Sequence, residues 1–478
     1  MRPALLKRSS LLPFLVACAV GLLWINQGWE SARVDAILHP PDGQQVGVVH
    51  ETILNLYRRS GDEEIYFAVA NAMRGLPYDH YRLSKRGRDT PAVFEHAPPE
   101  DGHWHRPYVE VPIEYPAAML PFILLPSFVP GGKSLVVYTH AFSALMGLLL
   151  LAAAALAIRA QPGRSDRERW WWMAGMLLAQ GSLSVGRLDA VLAFTLAWTL
   201  WAAAERKPGT MGFALGAATA SKFLPALLAV PLVMADRPAW RQMSARWKAA
   251  IGFAIAVVVG FAPMFVPPDA FLGVLSYHSK RGLQVESSFG VLISTWRLIT
   301  HTLVPATLSY GSFNHDGPVA SFFAHMATPV TLLMMGGVAV VFARAAEPKD
   351  DIARRDRLAL VLLAGVTALW LSAKVFSPQY LTWAMPLVLG VSGKRGRTLT
   401  WLLFLIYWIT QYEMTGDYGN IMQQRPLGVL TLLVRLPLIV AFGVVAVRGL
   451  GRRSNERVAK SEPVVAGGGL APSEANLE

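Results

Sequence analysis

Asp62, Glu63 and Glu64 stand together at the front of the stretch from Ser60 to Tyr81, SGDEEIYFAVANAMRGLPYDHY. A positioned carboxylate is the group that takes a proton from an attacking hydroxyl, so three of them at one place raise acid–base chemistry. The element that must hold them is a short helix. Ser60 and Glu63 have capping-box spacing, and Ile65, Val69, Met73 and Leu76 recur at helical intervals. Gly75 and Pro77 end it. Acids in a first helical turn also answer the exposed amides and the helix dipole, so position alone does not make any of the three catalytic.

The surroundings of that helix are apolar. Of 478 residues, 53% are hydrophobic and only 16% charged, against about 25% charged in soluble domains. The apolar residues come in blocks with basic residues between them, the pattern of an all-α polytopic membrane protein. The net charge of +12 is spread over these loops, and no nucleic-acid motif or separate basic domain accompanies it, so no nucleic-acid partner is expected. A single cysteine, Cys18, excludes an internal disulfide or a cysteine metal cluster. Leu15-Val16-Ala17-Cys18 loosely resembles a lipoprotein cleavage box, but the apolar run continues through Trp24, which favours an uncleaved first span.

Arg2, Lys7 and Arg8 precede the first span, about residues 9–27, and place the N-terminus inside. Residues 28–133 form a first outer loop with interfacial helices; its part 111–130 is interrupted by five prolines and reads as interfacial or re-entrant. Further spans are expected near 134–158, 170–186, 188–204, 209–235 (a hairpin), 249–267, 318–343, 357–373, 379–392, 398–413 and 426–447, with a second outer loop at 268–317. That makes about twelve spans in one integral-membrane domain, 1–460, with both termini cytoplasmic and a disordered tail at 461–478. The multi-pass location expected is the cell membrane, inner or plasma, with the lipid bilayer as its first partner.

Several of these spans are short. Residues 209–221 rise only about 20 Å as a helix, against about 30 Å of hydrocarbon. Gly212 and Gly216 have the spacing that lets helices approach closely. A hairpin of half-length helices must end in protein or in a water-filled cavity, and its tip carries Lys222; Arg187 and Lys374 sit at comparable outer turns. The Trp170–Trp172 cluster beside Arg169 reads as a membrane-interface belt, and Pro267-Pro268 as the end of a span. His96, His103 and His105, with Glu95, Glu100 and Asp101, match no standard metal spacing.

Together these pieces resemble the GT-C glycosyltransferases that use polyprenyl-phosphate sugars, and within them glycosyltransferase family 87, the bacterial alpha-mannosyltransferase-like group. Asp62 with Tyr66, then Gly75 and Tyr78, is similar to the opening motif; Glu114-Tyr115-Pro116 to the Tyr-Pro-Pro motif, with Ala117 replacing the second proline. Ser221-Lys222-Phe223-Leu224-Pro225 resembles the Lys-x-x-Pro turn, Arg281 to Ser287 the motif of the second large loop, and Lys374 to Tyr380 the late Ser-Pro-Gln-Tyr turn. The pieces occur in family order over about residues 55–390.

The resemblance implies a GT-C-like bundle and an inverting transfer of mannose or a related hexose or pentose. The donor would be a polyprenyl-phosphate sugar and the acceptor a lipid or glycan hydroxyl on the extracytoplasmic face. Asp62 matches the family's base position, with Glu63 as first substitute and substrate contact. Lys222, Arg281 and Lys374 would face the leaving phosphate, with Arg187 and Arg297 behind them. Tyr66, Tyr115, His278, Glu286 and Gln379 would touch sugar or phosphate. No metal and no cofactor are expected. The alternative reading is a transporter or flippase of lipid-linked sugars, although no internal repeat is evident and the charges gather at outward tips. A non-catalytic scaffold would require that Asp62, Lys222, Arg281 and Lys374 fail to converge.

Overall fold

The computed structural model describes residues 8–25, 62–78, 99–111, 113–266, 269–414 and 418–448. Ser60, His96, Pro267-Pro268, most of the first outer loop and the tail 461–478 lie outside the described residues.

Nearly all regular structure is helical. The first helix, α1 (Arg8–Ile25), packs against α3 (Leu135–Ala160) and α4 (Asp166–Gln180). Between them comes α2 (Asp62–Met73), which Gly75 terminates at φ +60°. A Cβ at Gly75 would lie 2.5 Å from the His103 carbonyl, so only glycine permits both that turn and that approach. The proline-broken stretch forms three short pieces, Ala117–Met119, Leu120–Leu124 and Leu125–Phe128. No long helix survives there, because each proline removes an amide donor.

The centre of the molecule is α5 (Asp189–Ala204) with α11 (Asp351–Ser372) and the short helix Ala384–Leu389, whose residues are buried on nearly every face. Around them stand α6 (Pro208–Lys222), α7 (Met243–Phe261), α10 (Pro318–Arg344), α12 (Gly393–Tyr412) and α13 (Pro426–Val447). Among the described residues, four helical segments, Leu135–Ala160, Met243–Met264, Pro318–Arg344 and Pro426–Val447, are long and apolar enough to cross a membrane by length and composition. Others fall short of that length, α6 among them with 15 residues.

The α6–α7 contact explains how a short helix is retained. A Cβ on Gly212 would sit 2.0 Å from the Ala249 carbonyl, and one on Gly216 2.5 Å from that of Phe253. The two backbones touch where side chains would hold them apart, as small-xxx-small spacing allows. At the far end of the bundle, Arg354 reaches Asp236 at 3.1 Å, Arg355 reaches Glu205 at 3.0 Å, and the fully buried Arg169 donates to the Gln161, Arg164 and Leu389 carbonyls. Beside Arg169 the tryptophan belt is only partial: Trp171 is exposed, but Trp170 is buried edge-on against Phe14 at 4.9 Å.

The segment between α7 and α10 folds into α8 (Ala270–Lys280), α9 (Ser288–Ile299) and a small antiparallel sheet. Its strands β1 (Leu283–Gln284), β2 (Thr307–Ser309) and β3 (Ser312–His315) run in the order β1-β3-β2, with Gln284 opposite Asn314. The Gln284 amide donates to the Lys374 carbonyl at 2.9 Å, which ties this segment to the late turn after α11.

Candidate active site

A cavity of about 1080 Å³ opens among α2, α5, α6, α8, β1 and the turns after α11 and α12. One helical turn of α2 contributes Asp62 and Tyr66, which share a face at i, i+4 spacing. Tyr66 meets the Tyr115 hydroxyl at 3.3 Å, and the Tyr115 carbonyl accepts from Tyr108 at 2.7 Å, so the Glu114-Tyr115-Pro116 stretch is pinned against the helix. Arg187, from the turn between Gly181–Ser184 and α5, forms an ion pair with Asp62.

Asp189 opens α5 two residues later. Its Oδ1 accepts from Lys222 Nζ at 2.8 Å and from Trp383 Nε1 at 2.7 Å. Lys222 is the last residue of α6, and Phe223 after it takes φ +33°, ψ −53°. A bulky residue in that region costs on the order of 1–3 kcal/mol, a strain the surrounding packing must offset. Phe223 stacks on Phe261 at 5.1 Å, which holds the turn in place.

His278, near the end of α8, and Arg281, just beyond it, enter the cavity from the segment between α7 and α10; Lys374 enters from the late turn. The Lys374 ammonium donates to the Ser279 carbonyl at 2.6 Å. Burial pushes His278 down to about 3, and the Arg281, Lys222 and Lys374 charges push the same way. Three cations from three separate elements therefore bear on one neutral imidazole. Burial, then the Arg281 charge, also lowers Lys374 from its ordinary value.

Glu286 follows β1 and is 3% exposed. Burial pushes its carboxyl up to about 7 against the pull of Arg435 and Arg187, while Gln284 Nε2 donates to its Oε2 at 2.6 Å. Gln379, on the 3-10 helix Pro378–Trp383, lies on the same lining.

The structure thus places Asp62, Tyr66, Tyr115, Arg187, Lys222, His278, Arg281, Glu286, Lys374 and Gln379 on one cavity. Glu63 is a correction to the expectation, and Arg297 stands off the lining. Glu63 lies about 100° around α2 from Asp62 and is buried against α3, where Ser143 Oγ donates to it at 3.3 Å. Arg297 contacts His315 at 3.2 Å and the Asp316 carbonyl at 3.3 Å, outside the lining. Gln411, Tyr418 and Arg425, around the turn between α12 and α13, line the cavity without having been anticipated. Among the described residues no cluster of three His, Cys, Asp or Glu side chains is arranged for a metal ion. His105 instead contacts the Pro99 carbonyl at 2.9 Å and Asp101 at 3.3 Å.

A sequence model described as glycosyltransferase family 87 matches residues 114–378. The matched segment holds Tyr115, Arg187, Lys222, His278, Arg281, Glu286 and Lys374; Asp62 and Tyr66 precede it and Gln379 follows it. No curated protein matches the chain. Among solved structures the chain is similar to ArnT from Cupriavidus metallidurans, a crystal structure bound to undecaprenyl phosphate, at 13% identity, over 84% of this chain and 76% of that one, with a TM-score of 0.33. That score is too low to carry any residue across.

Proposed function

We infer the chemistry of this cavity from the family to which the chain belongs, glycosyltransferase family 87. The protein is a membrane glycosyltransferase that takes its sugar from a polyprenyl phosphate. The finer reading is a single-displacement, inverting transfer of a hexose such as mannose, on the extracytoplasmic face, to a lipid or glycan hydroxyl. The observation that supports it best is the convergence of Asp62 with Lys222, Arg281 and Lys374 on one cavity.

In this reading the acceptor oxygen attacks the anomeric carbon while the Asp62 carboxylate takes its proton. The bond from that carbon to the donor phosphate oxygen breaks, and the electron pair leaves with the lipid phosphate. The phosphate goes from one negative charge toward two. Fixed cations respond to that gain more in the transition state than in the bound donor, which is the condition for accelerating the step. Neutral His278 and the Tyr66–Tyr115 pair supply hydrogen bonds for sugar or phosphate.

The test is transfer of radiolabelled mannose from polyprenyl-phosphate mannose by membranes containing this chain, with Asp62→Asn beside it. Transfer lost in the variant supports both reaction and base. Equal transfer in both moves the base elsewhere in the cavity. No transfer from any polyprenyl-phosphate sugar removes the reading and leaves lipid-linked sugar transport to be assayed. The proposed mechanism uses no metal: transfer should be unchanged in EDTA, and a loss restored by a divalent cation would place a metal in the reaction.

A further inference from the structure

We propose that Asp189 is a positioning residue that holds the Lys222 ammonium at the leaving phosphate and in register with Asp62. The inference rests on the transferase reading of the cavity, and it assigns a role to a residue that reading leaves unused.

Asp189 is 6% exposed, and its Oδ1 receives both the Lys222 ammonium and the Trp383 indole N–H. The two donors on that oxygen fix the carboxylate in one place. The Lys222 Nζ lies 3.7 Å from the Tyr380 ring centroid and 5.1 Å from that of Trp383, and these rings stack 4.8 Å apart. A flexible ammonium is thereby confined between a carboxylate and two aromatic faces. Its side chain remains 27% exposed and lines the cavity, so a phosphate oxygen can still reach it.

The backbone supports the same placement. Phe223, with its positive φ, turns the chain sharply at the end of α6, leaving Lys222 at the cavity wall. Asp189 stands two residues from Arg187, whose guanidinium pairs with Asp62 and is influenced by the Asp189 charge. Along one wall the charges alternate as Asp62, Arg187, Asp189, Lys222. The short turn Arg187-Leu188-Asp189 therefore sets the separation between the proton acceptor and the cation awaiting the leaving group. A misplaced phosphate cation costs rate even where binding survives.

The experiment is a double-mutant cycle on the purified full chain in detergent. It has two readouts, binding of undecaprenyl phosphate and the kcat and KM of sugar transfer. Asp189→Asn keeps an acceptor for the Trp383 indole and removes the counter-charge. It should lower kcat by 10-fold or more with a smaller change in donor KM, and Lys222→Met should lower kcat at least as much. In the Lys222→Met background, Asp189→Asn should cost less than 2-fold further, because Asp189 acts through Lys222. Losses that multiply overturn the proposal. Should Asp189→Asn fail to fold, Trp383→Phe removes the other anchor of the carboxylate; its loss must likewise vanish once Lys222 is absent. Wild-type protein that neither binds undecaprenyl phosphate nor transfers sugar would bring down the functional reading and this inference with it. Wild-type binding and transfer with multiplicative losses would bring down the inference alone.

Discussion

Asp62 and Glu63 are neighbours in the chain and face different surroundings. Asp62 opens on the cavity beside Arg187, and Glu63 is buried against Ser143. Replacing Asp62 with Asn should lower kcat by roughly 10²- to 10⁴-fold, the range for a lost general base, while Glu63→Gln should leave kcat within a few-fold and lower thermal stability instead. Transfer assays on both variants decide this, and a larger catalytic loss from Glu63 would reverse the assignment. Sequence alone could not separate them, because helix phase is known only once a partner surface is known. Glu286 carries a different test. Its carboxyl binds a proton more tightly folded than unfolded, with a value raised from 4.5 to about 7 by burial. That contribution is fully present below about pH 4.5 and is lost as pH rises through about 7, on the order of 3 kcal/mol at most. Glu286→Gln should therefore gain stability relative to wild type between pH 5 and pH 8, read by thermal unfolding at both values. An unchanged difference would mean that Glu286 is solvated or permanently paired.

The elements that position these groups are short, and their shortness has visible causes. Gly212 and Gly216 signalled a close helix pair, and the contact with Ala249 and Phe253 bears that spacing out. Gly212→Leu must push α6 off α7, since its Cβ would lie 2.0 Å from a backbone oxygen that cannot swing aside. A loss of roughly 1–3 kcal/mol or more is expected from such overpacking. Because Lys222 ends the same helix, donor KM should rise with the fall in thermal midpoint. A stability loss with unchanged KM would show that the tip is held by Asp189 and Trp383 independently of the helix. The strands β1, β2 and β3 were not legible, because two to four residues carry too little period-2 pattern to distinguish from loop. Gln411, Tyr418 and Arg425 were missed for a related reason. They flank a polar turn with no chemistry-bearing motif, and only its return toward α13 brings them to the cavity.

At the scale of the whole molecule, hydrophobic blocks and their loops were the clearest message in the sequence. The expected segments at 134–158, 188–204, 318–343 and 426–447 correspond to Leu135–Ala160, Asp189–Ala204, Pro318–Arg344 and Pro426–Val447. Such runs are readable because an apolar helix needs no partner to be recognised, whereas the sidedness of the bundle depends on charge between helices. The basic ends of the helices bear on that sidedness. Arg354, Arg355 and Arg169 form their buried and half-buried bridges with Asp236, Glu205 and Asp166 at one end, while Asp62, Lys222, Arg281 and Lys374 gather around the cavity. If the positive-inside rule sets the orientation, the arginine end faces the cytoplasm and the cavity faces out. The single native thiol makes this testable by labelling. In a Cys18→Ser background, Thr302→Cys between α9 and β2 should react with a membrane-impermeant maleimide in intact cells, and Lys349→Cys between α10 and α11 should react only after the membrane is opened. The reverse pattern would put the cavity on the cytoplasmic side, where the proposed acceptor and the direction of lipid-phosphate release would both have to be reassigned.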